Sequence, residues 1–550
     1  MRQPLVRVCR AAAAAALTGA LSLPAAAQSG SSLAAAVEAQ AAQAASSPGA
    51  ARRLSIDDAQ KLALEQNLGI RIQRFDPQIQ DLGIMQARSL WTPQVSSTLS
   101  RRAQTQASTS SIAGSATAVV ESRFTGGINL SQALPWGGSY SATWNGARST
   151  TTNLFSTFSP QIFSNVNIQY TQPLLRNFSI DSIRQQVAAS RSARELSGIQ
   201  LDALVVQTLR NVKNAWWDLA YALDNLRAQQ ESLDLANRSL RDNQKRVEIG
   251  TMAPIDIVQA QAEVASNEER VIVAEAAIRR AQDNLRVLVL DPAAPDFWTT
   301  TFEPADTAPF ADQAIDLDAA VRNALEKRSD LRSARTGLER RNVDLRYLRN
   351  QSLPDINAQA TYVGTGVGGL QLSPLTQSDI LSGNTTRRVL SDRSFGAAMG
   401  DIFQTDYPDW TVGVQIVYPL ASNTAHANLA RARLEQQQAI AQLTSLEMMA
   451  AAQVRESARN VETNRKRVGS ARASRELQER KLEAEERKLA AGMSSSFFVF
   501  QAQRDLALAR TAEIQAISDY NKSLVDFEAV QLAPLGGGSG GQAAASQAVR

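Results

Sequence analysis

The sequence predicts an α+β membrane protein in which long antiparallel coiled-coil rods join amphipathic β-strands, and in which that unit occurs twice. Three observations carry this. The first is an internal duplication. GTMAPIDIVQAQAEV from Gly250 and GMSSSFFVFQAQRDL from Gly492 both open on Gly and reach Gln-Ala-Gln at the same interval, an offset of 492 − 250 = 242. LSIDDAQKLALEQN from Leu54 answers IDLDAAVRNALEKR from Ile315, and Pro93 falls opposite Pro354 at the same offset of 354 − 93 = 261. QPLLRN from Gln172 and YPLASN from Tyr418 form a third pair, and landmarks repeated in one order define a duplicated chain. The second observation is a pair of Pro-free stretches of about 70 residues, each spanning roughly 100 Å as helix. The third is period-two alternation in the segments between the helices, as in Val166, Ile168, Tyr170 and in Trp410, Val412, Val414, Ile416, Tyr418.

Along the chain, residues 1–27 read as a secretory signal. Arg2, Arg7 and Arg10 precede an Ala/Leu run and the small-residue site Leu23-Pro24-Ala25-Ala26-Ala27. Residues 28–53 are a flexible Ala/Gln/Ser leader. The first repeat occupies 54–292. It opens with a helix from Ser55 to Leu90, stopped by Pro93. Four strand-like runs follow near 94–100, 124–134, 138–146 and 165–172. A long helix runs from Asp181 to Ile249, with Val205, Leu209, Val212, Trp216, Leu219, Leu223 and Leu226 on a four-three seam. Gly250 breaks it, and a return helix runs from Ile255 to Leu290. A linker, 293–314, leads to the second repeat, 315–532. Its helices are expected near 316–350, 424–491 and 497–531, and its two clear strands near 355–363 and 410–419. The GGGSGG-bearing tail, 533–550, reads as disordered. In each repeat two moderate helices placed end to end match one long helix, so each repeat pairs a continuous rod with a broken one.

Composition narrows the functions. Removal of the signal takes three Arg and no acid from a net charge of +4, leaving about +1, so nothing argues for nucleic acid. The only cysteine, Cys9, lies in the signal, so the mature chain has no disulfide. His426 is the lone histidine, which excludes a His-based metal site or triad. Asp57/Asp58 and Asp316/Asp318 sit at helix starts, where capping and the helix dipole account for them. The chain is therefore not expected to be an enzyme or to hold a cofactor. No stretch is apolar enough for a membrane helix, so an exported protein with these strands is a barrel in the outer membrane, or else carries a one-faced soluble sheet.

The opening-helix motif and its repeat, QPLLRN and YPLASN, and the two Gly-led turns followed by Gln-Ala-Gln together resemble the TolC-like outer-membrane efflux family over residues 54–532. The resemblance implies a homotrimer in outer-membrane lipid. Each chain would give four strands to a shared twelve-stranded barrel, with its helices forming a periplasmic tunnel. The extra strand pair around LPWGGSY departs from this pattern: it either projects outside the barrel or enlarges it, and twelve strands with an appended hairpin is the favoured expectation. The resemblance also implies a passive exit duct served by a periplasmic adaptor and an inner-membrane pump. Type I protein secretion is the alternative within this class. A periplasmic adaptor or a secreted coiled-coil scaffold is the alternative outside it.

The same resemblance puts adaptor contact at the tip residues Gly250, Thr251, Met252, Gly492, Met493 and Ser494. It puts a channel constriction at Asp256, Gln259, Phe498 and Gln501. Acidic residues characteristic of the prototype are absent at Phe498 and Gln501, and the Phe497–Phe500 run stands there instead. It serves either as a hydrophobic constriction or as packing between helices. Trp136, Trp144, Trp410 and Tyr418 are candidate membrane-interface aromatics.

Overall fold

The computed structural model describes residues 52–535 apart from 108–117, 154, 306–312, 377–381, 383–385 and 419–423. The signal, nearly all of the leader, part of the linker, residues 419–423 of YPLASN and the tail from 536 lie outside the described residues.

The first repeat begins with β1 (Arg52–Leu54), α1 (Ile56–Gln66), α2 (Leu68–Gln73) and α3 (Phe75–Ser89). The single helix expected from Ser55 to Leu90 is thus three. Asn67 makes the first break. Its backbone is extended, its side-chain oxygen caps the Ile70 N–H, and its amide donates to the Leu288 carbonyl at 2.9 Å. The second repeat breaks at the equivalent place. Arg328, 261 residues later, is extended between α6 (Leu317–Lys327) and α7 (Ser329–Gln351) and is buried against Asp330 and Gln453. Neither break carries Pro or Gly. Each combines a local side-chain bond with a long-range partner, Leu288 for Asn67 and Gln453 for Arg328.

The long helices are α4 (Ser182–Glu248) and α9 (Thr424–Ala490), both of 67 residues. Their return helices, α5 (Ile255–Val289) and α10 (Ser496–Val530), both have 35. Asp181 caps α4 by accepting from the Arg184 N–H at 2.7 Å. Helices α1–α3 stack above α5 along α4, and α6–α7 stack above α10 along α9. The four-three seam becomes core at Val212, Trp216 and Leu219, with the Trp216 indole donating to the Leu54 carbonyl at 3.1 Å. In the second repeat Val454, Val461 and Val468 meet Ala516, Tyr520 and Phe527. Ion pairs join the repeats where α4 meets α10, among them Arg210–Asp526 at 2.5 Å and Lys213–Glu528 at 2.9 Å.

The sheet contains β2 (Gln94–Ala107), β3 (Ala118–Ala133), β4 (Ser139–Thr151), β5 (Phe158–Pro173), β7 (Asp355–Leu372) and β9 (Pro408–Val417), in that spatial order and antiparallel throughout. Short β8 (Val389–Arg393) pairs only with the far end of β7, and β6 (Phe302–Pro304) pairs with β1. The β3–β4 hairpin is therefore not appended. It lies inside the sheet, with β3 paired to β2 and β4 paired to β5. Val95, Leu99, Ile128, Trp144, Ile168, Tyr362 and Val412 share one face in register. The other face carries Thr98, Asn129, Asn145, Asn167, Thr361 and Gln415. An apolar face outward and a polar face inward is the pattern of a membrane barrel.

On the apolar face lies α8 (Phe395–Gln404), a helix outside the expected order of elements. It sits on Gly364, Gly366 and Gly368, where a Cβ on Gly366 would fall 1.7 Å from the Ala398 carbonyl oxygen. Asp401, buried in this helix, pairs with Arg393.

One protomer presents two unlike edges. Beside the sheet the helices run α3, α4, α7, α9, and toward the tips α5, α4, α10, α9. One edge is therefore α9 over its length, and the other is α3 followed by α5. The α2–α3 edge exposes Leu68, Ile72, Phe75, Ile79 and Leu82 at intervals of four and three, a coiled-coil seam with no partner among the described residues. Exposed Ile255, Val258, Ile272 and Val273 continue it on α5, while α9 exposes Leu434, Met448 and Leu477. The strands agree: β2 and β9 are both edges and are exposed throughout. Open edges are not tolerated in lipid, so copies of the chain must close on one another.

Candidate functional site: the paired helical tips

At the ends of the rods farthest from the sheet, two Gly turns repeat one geometry. Gly250 has φ +79° and Gly492 φ +72°, and nothing lies within 4 Å of a Cβ at either. Backbone conformation rather than space therefore requires glycine. The Thr251 N–H reaches the Arg246 carbonyl at 2.9 Å, and the Gly250 N–H that of Val247 at 3.0 Å. Met493 and Gly492 do the same to Lys488 and Leu489, at 2.8 and 3.1 Å. Both turns are Schellman caps, which end a helix and satisfy its last carbonyls. Met493 is exposed and Met252 half-buried, so the two tips offer unlike surfaces.

Side chains then fasten the tips. The Ser494 hydroxyl donates to Glu485 at 2.9 Å, and Lys488 donates to the same carboxylate at 2.7 Å. These bonds, Lys488 first and Ser494 next, hold the Glu485 carboxyl below the usual carboxylate range. A carboxyl depressed on folding stabilises the tip above its ordinary titration range, and that contribution is lost as pH falls through the depressed value. Protease cleavage at the second tip is therefore expected to rise only at strongly acid pH, and Glu485→Gln is expected to abolish that pH dependence. An unchanged acid profile in the variant would refute this role.

Of the four candidate constriction residues, three are exposed and one is engaged. Asp256 accepts from the Ser496 hydroxyl at 2.5 Å, so it ties the first tip to the second. Gln259 and Gln501 are exposed. Phe498 is 54% exposed and Phe497 51%, their rings edge to face at 5.6 Å. Their neighbours behave oppositely. Val499 is buried with Leu482, Ala502 and Leu506, and Phe500 is buried as well. The Phe run thus divides, with its second half in the rod and its first half outside. Phe498, Gln501 and Leu508 share one exposed stripe of α10, and Leu508 was not singled out from the sequence. The heptad continuing from Phe498 and Gln501 was the signal that pointed to it.

The four candidate interface aromatics do not form one level. Trp136 lies in the β3–β4 turn near the helices, its indole donating to the Tyr170 hydroxyl at 3.4 Å. Tyr418 follows β9 at the same end. Trp410 pairs with Tyr362 farther along the sheet. Trp144 lies beyond that, bonded to Ser164 at 2.9 Å and in edge contact with Phe395 of α8. Among the described residues no cluster of His, Cys, Asp or Glu is placed to hold a metal.

An amphipathic antiparallel sheet with two free edges, carried on rods about 100 Å long, defines a barrel-and-tunnel channel of the outer membrane. The chain belongs to the outer membrane efflux protein family, whose model matches residues 146–289 and 320–530. Members of this family are trimeric outer-membrane channels rather than enzymes. The fold is similar to the CmeC outer membrane channel of Campylobacter jejuni, at 15% identity and TM-score 0.61, covering 90% of this chain and 88% of that one. It is also similar to VceC of Vibrio cholerae, at 14% identity and TM-score 0.59, covering 87% and 96%. The open state of the MtrE channel of Neisseria gonorrhoeae matches at 17% and 0.57, covering 87% and 89%. No match is found among curated protein sequences.

Proposed function

We propose that this chain is the exit duct of a tripartite efflux system, receiving substrates from an inner-membrane pump through a periplasmic adaptor. The observation that supports it best is the pair of capped, exposed tips at the far end of the rods. Their duplicated backbone form and unlike side chains give a trimer six docking points of two kinds. Gly250, Thr251, Met252, Gly492, Met493 and Ser494 are the proposed adaptor contacts. Phe498 is the proposed closing residue. In a trimer it occurs three times around one axis, and a narrow apolar ring resists water entry. Asp256 acts beside it as a tie between tips rather than as a free charge.

The test is conductance of the purified trimer in a planar bilayer. A low-conductance channel is expected from the unaltered protein, and Phe498→Ser is expected to raise its conductance several-fold. No channel from either protein would sink the duct reading. An unchanged conductance would remove Phe498 from the closure and leave Gln501 and Leu508 as the candidates.

A further inference from the structure

We infer that the β3–β4 hairpin gives this protein an eighteen-stranded barrel, whose outer half is a wide duct that selects by neither size nor charge sign. The inference rests on the duct reading but concerns the barrel alone.

Four observations carry it. The register runs unbroken through the hairpin, from Gln94↔Ser131 to Ala107↔Ala118 between β2 and β3, and from Glu121↔Thr151 to Ala133↔Ser139 between β3 and β4. A hairpin splayed away from a barrel would lose its ladder to β2 or to β5, yet Tyr140↔Tyr170 and Trp144↔Val166 are paired. Next, sidedness is kept. Phe124, Ile128 and Trp144 share the lipid face, while Thr125, Asn129 and Asn145 share the other. A one-residue slip would reverse this. Direction is kept as well, because an insertion of two strands leaves β2 and β5 antiparallel, as they would be without it. Finally, β2 and β9 remain the only long free edges among the described strands, so three copies of a six-strand wall close into eighteen strands.

Barrel diameter grows roughly linearly with strand number, so eighteen strands give about 1.5 times the width of twelve, in the range that leaves an aqueous channel. The wall of that channel is mostly amide and hydroxyl. Its charges in the six long strands nearly balance: Arg102 and Arg123 stand against Glu121, Asp355 and Asp409. A wide and nearly neutral wall exerts little field on a passing ion. Selection by size or charge then belongs to the periplasmic end.

The deciding experiment is an electron-microscopy reconstruction of the detergent-solubilised trimer. Eighteen strands are expected, with each β3–β4 pair in the wall. Twelve strands with three external hairpins would overturn the inference, whatever the conductance shows. A second measurement uses the Phe498→Ser background with and without deletion of residues 118–157. The deletion joins β2 to β5 and is expected to shrink the largest neutral polymer that enters from the outer side. The undeleted channel is expected to show a reversal potential near zero in a salt gradient. An unchanged polymer cut-off in a folded deletion trimer, or strong ion selectivity that follows barrel charges, would also count against it.

Discussion

Trp216→Pro is expected to abolish the trimer. Trp216 is 1% exposed at the centre of α4, where the rod meets α1 and α5. Proline removes one backbone hydrogen bond and collides with the preceding turn, at about 3 kcal/mol or more. Losing the indole from a packed core adds about 3–5 kcal/mol. It also leaves the Leu54 carbonyl without its donor, which weakens the start of the chain against the rod. The total approaches the whole stability of an ordinary domain. Trp136→Ala is the comparison. That side chain is 56% exposed in a turn and has one long hydrogen bond, so the expected loss is below about 1 kcal/mol. The readout is trimer yield by native mass measurement. Equal yields for the two variants would show that the rod does not depend on this core.

Ile79→Asp is expected to leave the protomer folded and remove the trimer. Ile79 is 56% exposed in the chain and lies within the Leu68–Leu82 seam, so the substitution costs little within one copy. In a closed ring that seam meets the α9 edge of the next copy. A carboxylate there is buried without a partner, a penalty of several kcal/mol. The penalty recurs at every interface, and each 1.4 kcal/mol is tenfold in affinity. Helical content by circular dichroism should be nearly unchanged while the trimer band disappears. Ile79→Leu should restore it. A stable Ile79→Asp trimer would show that the seam faces lumen or solvent.

Much of this fold was legible in the sequence, for identifiable reasons. Long helices declare themselves through sustained seams and glycine stops, which is why α4 and α5 lie within a residue or two of their expected ends. Trp216 was readable as core because it sat on that seam. The breaks at Asn67 and Arg328 were not readable, since each also uses a partner far away in sequence, the Leu288 carbonyl or the Gln453 side chain. The strands were read too short at their outer ends. There Arg101, Arg102, Gly366 and Gly368 interrupt the alternation, and the ladder rather than the side chains maintains the strand. Helix α8 escaped because its residues make sense only against the glycine stripe of β7. The placement of the hairpin escaped because alternation says that a segment is a strand, not which neighbours it takes. At the tips, the spacing marked the Phe run, but only packing decided that Val499, against Leu482, and Phe500 turn in while Phe498 turns out.

The two unlike edges of the protomer have a genetic consequence. Every contact in the ring joins an α3–α5 edge to an α9 edge, so each copy takes part in two contacts and no copy is spare. A chain spoiled on one edge still offers a sound opposite edge and can be drawn into assembly. Expressed beside an equal amount of unaltered chain, with random mixing, it would leave only about one ring in eight free of the defect. Such an allele should behave as dominant over the normal one. An allele that prevents the chain from folding, such as Trp216→Pro, never reaches the ring and should be recessive.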